Sequence, residues 1–213
     1  DMMPTAYEEV YAITKNKSDA ATGAGNMTIA GQTGNNTWRY DSPSVSGAQF
    51  SVAYISTDTG TTAGRISSYS DMGIKISPEM VEGLTVGYAT GELADTATTT
   101  IDHSTIFIKY TFGSVTVGYQ EHEADGPNAT KTDESESFAV SYAINDDFSI
   151  SYGSREYNSG DSTTDQEDEA ISASYTMGGM TIAIADTEMD NSTYATASAN
   201  QHEALSLSLT LAF

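Results

Sequence analysis

Cysteine is absent from the 213 residues, which excludes a disulfide framework and any thiolate metal centre. No stretch approaches eighteen consecutive apolar residues, so no transmembrane helix is encoded. Basic residues are scarce. Lys and Arg total 8 against 30 Asp and Glu, a formal net charge of -22, and a chain without a basic face is a poor nucleic-acid binder. Apolar residues make up only 38%, too few for a dry core of ordinary size. A membrane barrel needs fewer, because its interior is wet and only its outer face must be apolar. Trp occurs once and Phe six times, but Tyr thirteen times. Tyr suits a membrane interface, where the ring meets lipid and the hydroxyl meets water. No secretory leader is visible at Asp1, so it is expected to have been removed or to lie before this stretch.

What is present is alternation. In the last stretch, Leu205, Leu207, Leu209, Leu211 and Phe213 fall on every second residue, with Ser206, Ser208, Thr210 and Ala212 between them. A period of two puts one set on each face of a β-strand. Ending such a strand on a bare Phe fits lipid better than water. The same logic recurs from Thr37. Trp38 and Tyr40 alternate with Arg39 and Asp41; Phe50, Val52 and Tyr54 follow; Met72, Ile74 and Ile76 alternate with Asp71 and Lys75. Leu84, Val86 and Tyr88 come next, then Ile106, Ile108, Tyr110 and Phe112 with Lys109 on the other face. Val115 to Tyr119, Phe138 to Tyr142, Phe148 to Tyr152 with Arg155 opposite, Ile171 to Tyr175 and Met180 to Ile184 complete the series. The expectation is an all-β, antiparallel transmembrane β-barrel with about eleven strands in this chain.

The connections alternate strictly. Short ones are expected near Ser42-Gly47, Ser77-Gly83, Phe112-Ser114, Ala143-Asp147 and Met177-Gly179, and long ones over about residues 56–68, 91–104, 121–136, 157–169 and 186–203. Short turns on one rim and long loops on the other are the layout of outer-membrane barrels. Tyr40, Phe112, Tyr142, Phe148, Tyr175 and Phe213 gather beside the short turns as an aromatic girdle, while the opposite girdle is indistinct, with Tyr54, Tyr88, Tyr119 and Tyr152 placed nearer mid-membrane. The long loops carry most of the acid, read as solvated surface or as a shell for divalent cations at the level of the lipopolysaccharide; calcium is the ion such carboxylates would take. Eleven is an odd number, and bacterial single-chain barrels have even ones. Strands are therefore expected before Asp1. Residues 1–35 differ from the rest: Pro4 to Ile13 reads as a short helix bearing Glu8 and Glu9, followed by a glycine-rich loop.

Asn36 to Tyr54, with its Asn-Thr-Trp-Arg-Tyr-Asp-Ser-Pro start, Gly47 and the alternating strand after it, resembles the stretch that follows the third extracellular loop in the general diffusion porins of Gram-negative outer membranes. The C-terminal alternation ending in Phe213 resembles that family's assembly signal, carried by Leu209, Leu211 and Phe213. The resemblance implies a 16-stranded barrel in a homotrimer embedded in outer-membrane lipid and lipopolysaccharide. It implies that residues 1–35 are an inward-folded constriction loop, that residues 36–213 supply strands 6 to 16, and that the barrel-assembly machinery reads the last strand. The function so implied is a passive, water-filled channel for small hydrophilic solutes and ions, with no cofactor. Glu8 and Glu9 would then face Arg39 across the constriction. Asp41, Asp71, Lys75, Lys109 and Arg155 would line the pore, and opposed acid and base there make a transverse field. Three alternatives stay beside this: Arg39 pairing with Asp41 along its own strand, Glu8 and Glu9 forming a solvated helix face, and Lys109 snorkelling instead of facing the lumen. An adhesin or receptor acting through the acidic loops is the alternative function. Catalysis is not expected. His103, His122 and His202 read as exposed histidines in or beside long loops, and no nucleophile elbow, phosphate loop or zinc motif is present.

Overall fold

The computed structural model describes residues 37–56, 68–96, 99–126, 132–160, 162–194, 196 and 201–211. Eleven strands form: β1 (Thr37–Asp41), β2 (Ala48–Ile55), β3 (Ser68–Ile76), β4 (Leu84–Thr96), β5 (Thr99–Phe112), β6 (Val115–Asp125), β7 (Thr132–Ala143), β8 (Phe148–Asn158), β9 (Gln166–Met177), β10 (Met180–Asp190) and β11 (His202–Leu211). A 3-10 turn, Ser192–Tyr194, lies between β10 and β11. Each strand pairs antiparallel with the next, giving one sheet in chain order, with β1 and β11 as its edges among the described residues. The expected helix at Pro4–Ile13 and the boundary at residue 35 lie outside the described residues.

The pairing keeps the two faces of every strand distinct. Between β10 and β11, Ile182 opposes Leu209 and Ile184 opposes Leu207, while Ala183 opposes Ser208 and Ala185 opposes Ser206. Between β5 and β6, Ile108 opposes Tyr119 and Tyr110 opposes Val117, while Phe107 opposes Gln120 and Lys109 opposes Gly118. A slip of one residue would exchange the faces throughout, so the alternation fixes the register.

The apolar face is the exposed one. Leu205 is 72% exposed and Leu207 76%, whereas Asp168 is 4% exposed and Arg155 7%. Trp38, Tyr54, Tyr88, Ile106 and Ile171 continue the same exposed band. A soluble monomer does not sustain so large a contiguous apolar surface. In hydrocarbon the arrangement is stable, because the side chains match the solvent and the ladder satisfies the backbone polar groups. The opposite, polar face is the inner face.

Two expectations need correction. Much of what reads as long loop is strand: β4 runs on to Thr96 and β5 starts at Thr99, where a loop over 91–104 was expected. Likewise β6 and β7 extend through Asp125 and back from Thr132. Hydrogen-bonded pairing does not need apolar side chains, and the period of two continues with acids in place of aliphatics. Glu121 and Glu123 oppose Glu136 and Glu134, and all four are exposed on the outer face above the apolar band. The second correction concerns the upper girdle. The Tyr119 hydroxyl donates to Glu121 Oε1 at 2.7 Å and the Tyr152 hydroxyl to Glu169 Oε1 at 3.0 Å. These two tyrosines therefore join the apolar band to the acidic zone, an interface position rather than a mid-membrane one.

The short-turn rim depends on glycine. Gly47 and Gly83 have φ of 81° and 83°, and a Cβ on either would lie 2.0 Å from a backbone oxygen, of Ser77 and Thr111 respectively. Their own carbonyls accept the Ser77 and Thr111 N–H groups at 2.8 and 2.9 Å, tying each turn to the neighbouring hairpin. At the tip of the β5–β6 hairpin, Gly113 (φ 56°) has nothing within 4 Å of a built Cβ. Gly83→Ala is expected to cost more than the roughly 1–3 kcal/mol of a strained backbone alone, and Gly113→Ala only that strain. Thermal unfolding of the folded protein in detergent, followed by gel mobility, should therefore rank Gly83→Ala well below Gly113→Ala; equal midpoints would show that the close approach is not structural.

Candidate functional site

The inner face is a polar wall. Towards the short-turn rim it is lined by paired hydroxyls across neighbouring strands: Ser149 with Ser174 at 2.9 Å, Ser151 with Ser172 at 2.7 Å, Thr111 with Thr116 at 3.0 Å and Thr176 with Thr181 at 3.0 Å. Small hydroxyls stay hydrogen-bonded to each other or to water and leave room between them, which is what a wet interior needs.

Charged groups punctuate this wall. Arg39 and Asp41 lie on the same face of β1, and Arg39 Nε and Nη2 donate to the Asp41 carboxylate at 2.9 to 3.1 Å. Asp41 Oδ1 also accepts the Ser51 hydroxyl at 2.6 Å. Of the alternatives open for Arg39, the same-strand pair is therefore formed. Its partners are about one-third or more exposed, so it contributes little stability. Asp71 is buried on β3, opposite Ala53 and Gly91. Lys75 and Lys109 are half-buried on β3 and β5, opposite Gly87 and Gly118 respectively. Glu8, Glu9 and Phe213 lie outside the described residues. Leu209 and Leu211 sit exposed on the outer face of β11.

Arg155 has the most elaborate surroundings. On β8 it stands directly opposite Asp168 of β9. Its Nε donates to Asp168 Oδ2 at 3.0 Å, and its Nη2 contacts the same oxygen. Gln166 donates to the other carboxylate oxygen at 3.3 Å, and the guanidinium lies 4.6 Å from the Tyr157 ring centre. Both charges are nearly inaccessible, and such a pair is retained where several hydrogen bonds hold it. Reading the sequence placed Asp168 in a solvated acidic loop and missed this partnership. A signal was available: Gln166, Asp168, Ala170, Ser172 and Ser174 share one parity, and Glu167, Glu169, Ile171, Ala173 and Tyr175 the other.

The two faces divide the charge unequally. On the inner face Arg39, Lys75, Lys109 and Arg155 are accompanied by Asp41, Asp71, Asp133 and Asp168, so acid and base nearly balance. The excess acid projects outward, where carboxylates oppose carboxylates: Glu136 and Glu156, Glu156 and Glu167, Glu169 and Glu188, Glu188 and Glu203. Directly opposed like charges are destabilising unless something neutralises them. At the same rim, beyond the strands, burial and then the nearby Asp133 and Asp165 push the Tyr194 phenol above its ordinary value, so it stays neutral. The histidines also need correction. His103 and His122 are in β5 and β6, not loops, and both face inward; His122 is only 2% exposed. Alternation put them there, since the acids beside them, Asp102, Glu121 and Glu123, take the outer positions. His202 begins β11 and is exposed. Among the described residues, no group of three or more His, Cys, Asp or Glu is placed to hold a metal ion.

Comparison with known proteins fits this geometry. The chain resembles the solved anion-selective porin from Comamonas acidovorans, with a TM-score of 0.68 at 12% identity, covering 84% of this chain and 60% of that one. A porin refined at 1.8 Å resolution gives 0.62 at 13% identity, with 82% and 60% covered. The outer membrane channel DcaP of Acinetobacter baumannii gives 0.62 at 10% identity, with 83% and 62% covered. At these identities the likeness is one of fold, and the chain spans about 60% of the length of the first two of these porins. No curated protein matches the chain. The family model described as Gram-negative porin matches residues 1–208, nearly the whole chain, and with an inverted sheet of eleven antiparallel strands the conclusion is that this chain belongs to the Gram-negative porin family.

Proposed function

We propose that the protein is a passive, water-filled channel through which small hydrophilic solutes and ions cross the outer membrane, acting without a cofactor and without catalysis. As a Gram-negative porin it is a multi-pass protein of the outer membrane. The observation that carries the channel reading is the pairing of an exposed apolar outer face with a polar, hydroxyl-lined inner wall whose charges balance. An adhesin would need no such wall. In this reading five further strands close the sheet into a sixteen-stranded barrel, with β1 to β11 as strands 6 to 16, and three copies assemble. Residues 1–35 fold inward as the constriction, where Glu8 and Glu9 face the cationic side chains of the wall. The Arg39–Asp41 pair lowers the positive charge that Arg39 brings to that wall.

The outer face fits its surroundings in layers. An apolar groove of about 490 Å³ between Val140, Ile150, Ile171, Ile184 and Leu205 suits lipid acyl chains. Above it, the opposed glutamates stand at the level of lipopolysaccharide. Like charges cannot bind lipopolysaccharide phosphates directly, so divalent cations such as calcium bridge the two. Leu209, Leu211 and Phe213 serve as the signal for the barrel-assembly machinery.

Three outcomes test these proposals. In planar bilayers the full-length protein should give stepwise conductance in threes and a weak cation preference, because the acidic rim concentrates cations over roughly a Debye length of 10 Å at 0.1 M salt. Asp168→Asn, which removes the negative charge opposite Arg155, should move the reversal potential towards anions. A silent membrane would sink the channel, and an unchanged potential would place Arg155 away from the permeation path. Secondly, chelating divalent cations should lower the melting temperature of protein extracted with its lipopolysaccharide, and added Mg2+ should restore it; an indifferent midpoint would remove the cation bridge. Finally, deleting Phe213 should reduce the amount of heat-modifiable protein in outer membranes, and normal insertion would count against a terminal signal.

A further inference from the structure

Seven buried side-chain atoms lack a hydrogen-bond partner among the described residues, and four of them lie together: His103 Nδ1 on β5, and Gln120 Oε1, His122 Nδ1 and His122 Nε2 on β6. A buried polar atom left unsatisfied is costly, and a group of them marks where a water or an ion belongs. His122 stands opposite Thr105 of β5 and Ser135 of β7, and His103 opposite Ala124. These small neighbours let the two imidazoles meet diagonally across the strands, with ring centres 5.8 Å apart and planes at 41°. Two imidazoles sharing one ion, each nitrogen about 2.0–2.1 Å from it, have ring centres within roughly 6.5 Å of each other. The observed separation falls inside that limit. Gln120 is two residues before His122 on the same face, and its amide nitrogen already reaches towards Thr105 Oγ1 at 3.4 Å, which leaves its buried Oε1 as the acceptor with no partner among the described residues.

We propose that His103 and His122, with Gln120 Oε1 as a neutral oxygen donor, form a binding site for a divalent transition-metal ion on the inner wall. The donor set selects the ion class. Calcium and magnesium take oxygen ligands and are usually held by at least one carboxylate, and strand alternation sends Asp102, Glu121 and Glu123 to the opposite face. Imidazole instead favours Cu2+, Ni2+ and Zn2+. Two imidazoles and an amide oxygen leave coordination positions for water, so the ion is exchangeable rather than permanently held. His103 is only half-buried and gives the ion an approach. Once bound, it adds two positive charges to a wall that is otherwise nearly balanced, and it opposes cation passage.

The effect on conduction rests on the channel reading; the binding does not. In planar bilayers with the full-length protein, Zn2+ at micromolar concentration should move the reversal potential towards anions, and Mg2+ at the same concentration should not. His103→Ala and His122→Ala should each raise the Zn2+ concentration required by at least about tenfold, the order expected when a site loses part of its support. His202→Ala, at the exposed start of β11, should leave it unchanged. Independently of any conductance, Cu2+ added to detergent-solubilised wild-type protein should give an electron paramagnetic resonance spectrum with couplings from two imidazole nitrogens. A wild-type spectrum lacking those couplings, or a Zn2+ response that persists unaltered in both single-histidine variants, overturns the site. A wild-type protein that shows the two-nitrogen spectrum but no metal-free conductance supports the site and overturns the channel.

Discussion

The inter-strand hydrogen-bond ladder, formed in a medium that offers no substitute for it, is the constraint from which the rest follows. Hydrocarbon donates and accepts nothing, so every backbone amide in the band must find its partner on the next strand. That requirement holds the chain in extended β geometry with a strict period of two. Once the period is fixed, every second side chain must be apolar and its neighbours are free to be polar. The eleven-stranded meander, the exposure of Leu205 and Leu207, and the burial of Asp168 and Arg155 are consequences of that one condition.

The same ladder continues beyond the band, and there it sorts charge instead of hydrophobicity. Glu121, Glu123, Glu134 and Glu136 keep the outward parity of Tyr119 and Phe138. The Tyr119 hydroxyl donates to Glu121 of this set, and further along the sheet the Tyr152 hydroxyl donates to Glu169. Inside, the opposite rule holds. Arg39 with Asp41 and Arg155 with Asp168 are close, hydrogen-bonded pairs, and hydroxyl pairs such as Ser149–Ser174 and Ser151–Ser172 line the wall beside the second. Among the described residues the inner face is thereby nearly balanced in charge, because their excess acid lies on the other side of the sheet.

Much of this was legible in the sequence. Eleven alternating segments, the short turns between them and the girdle beside those turns can be read from residue type and spacing alone. The strand ends could not. Loss of aliphatic residues after Tyr88 or Tyr119 looks like the start of a loop, but backbone pairing is indifferent to whether the outward residue is Ile or Glu, so β4 to β7 run on. The histidines were misplaced for the same reason: once 91–104 and 121–136 are taken as loop, parity is no longer applied to His103 and His122. Arg39 lay at the edge of what can be read, since its partner Asp41 is two residues away on the same strand.

By itself, the sequence determined which face each residue takes, because parity within a strand is a local property that needs no knowledge of its neighbours. It also determined the class of fold, because so many alternating segments with so little apolar content suit hydrocarbon outside and water inside. The tertiary structure decided who meets whom. Arg155 and Asp168 stand thirteen residues apart, and His103 and His122 nineteen, yet each pair is brought into contact by the stagger of two strands. Stagger depends on where a turn closes and on how its glycines seat against the next hairpin, as Gly47 and Gly83 do against Ser77 and Thr111. It is a relation between strands rather than a property of either one, and for that physical reason no single segment of the chain contains it.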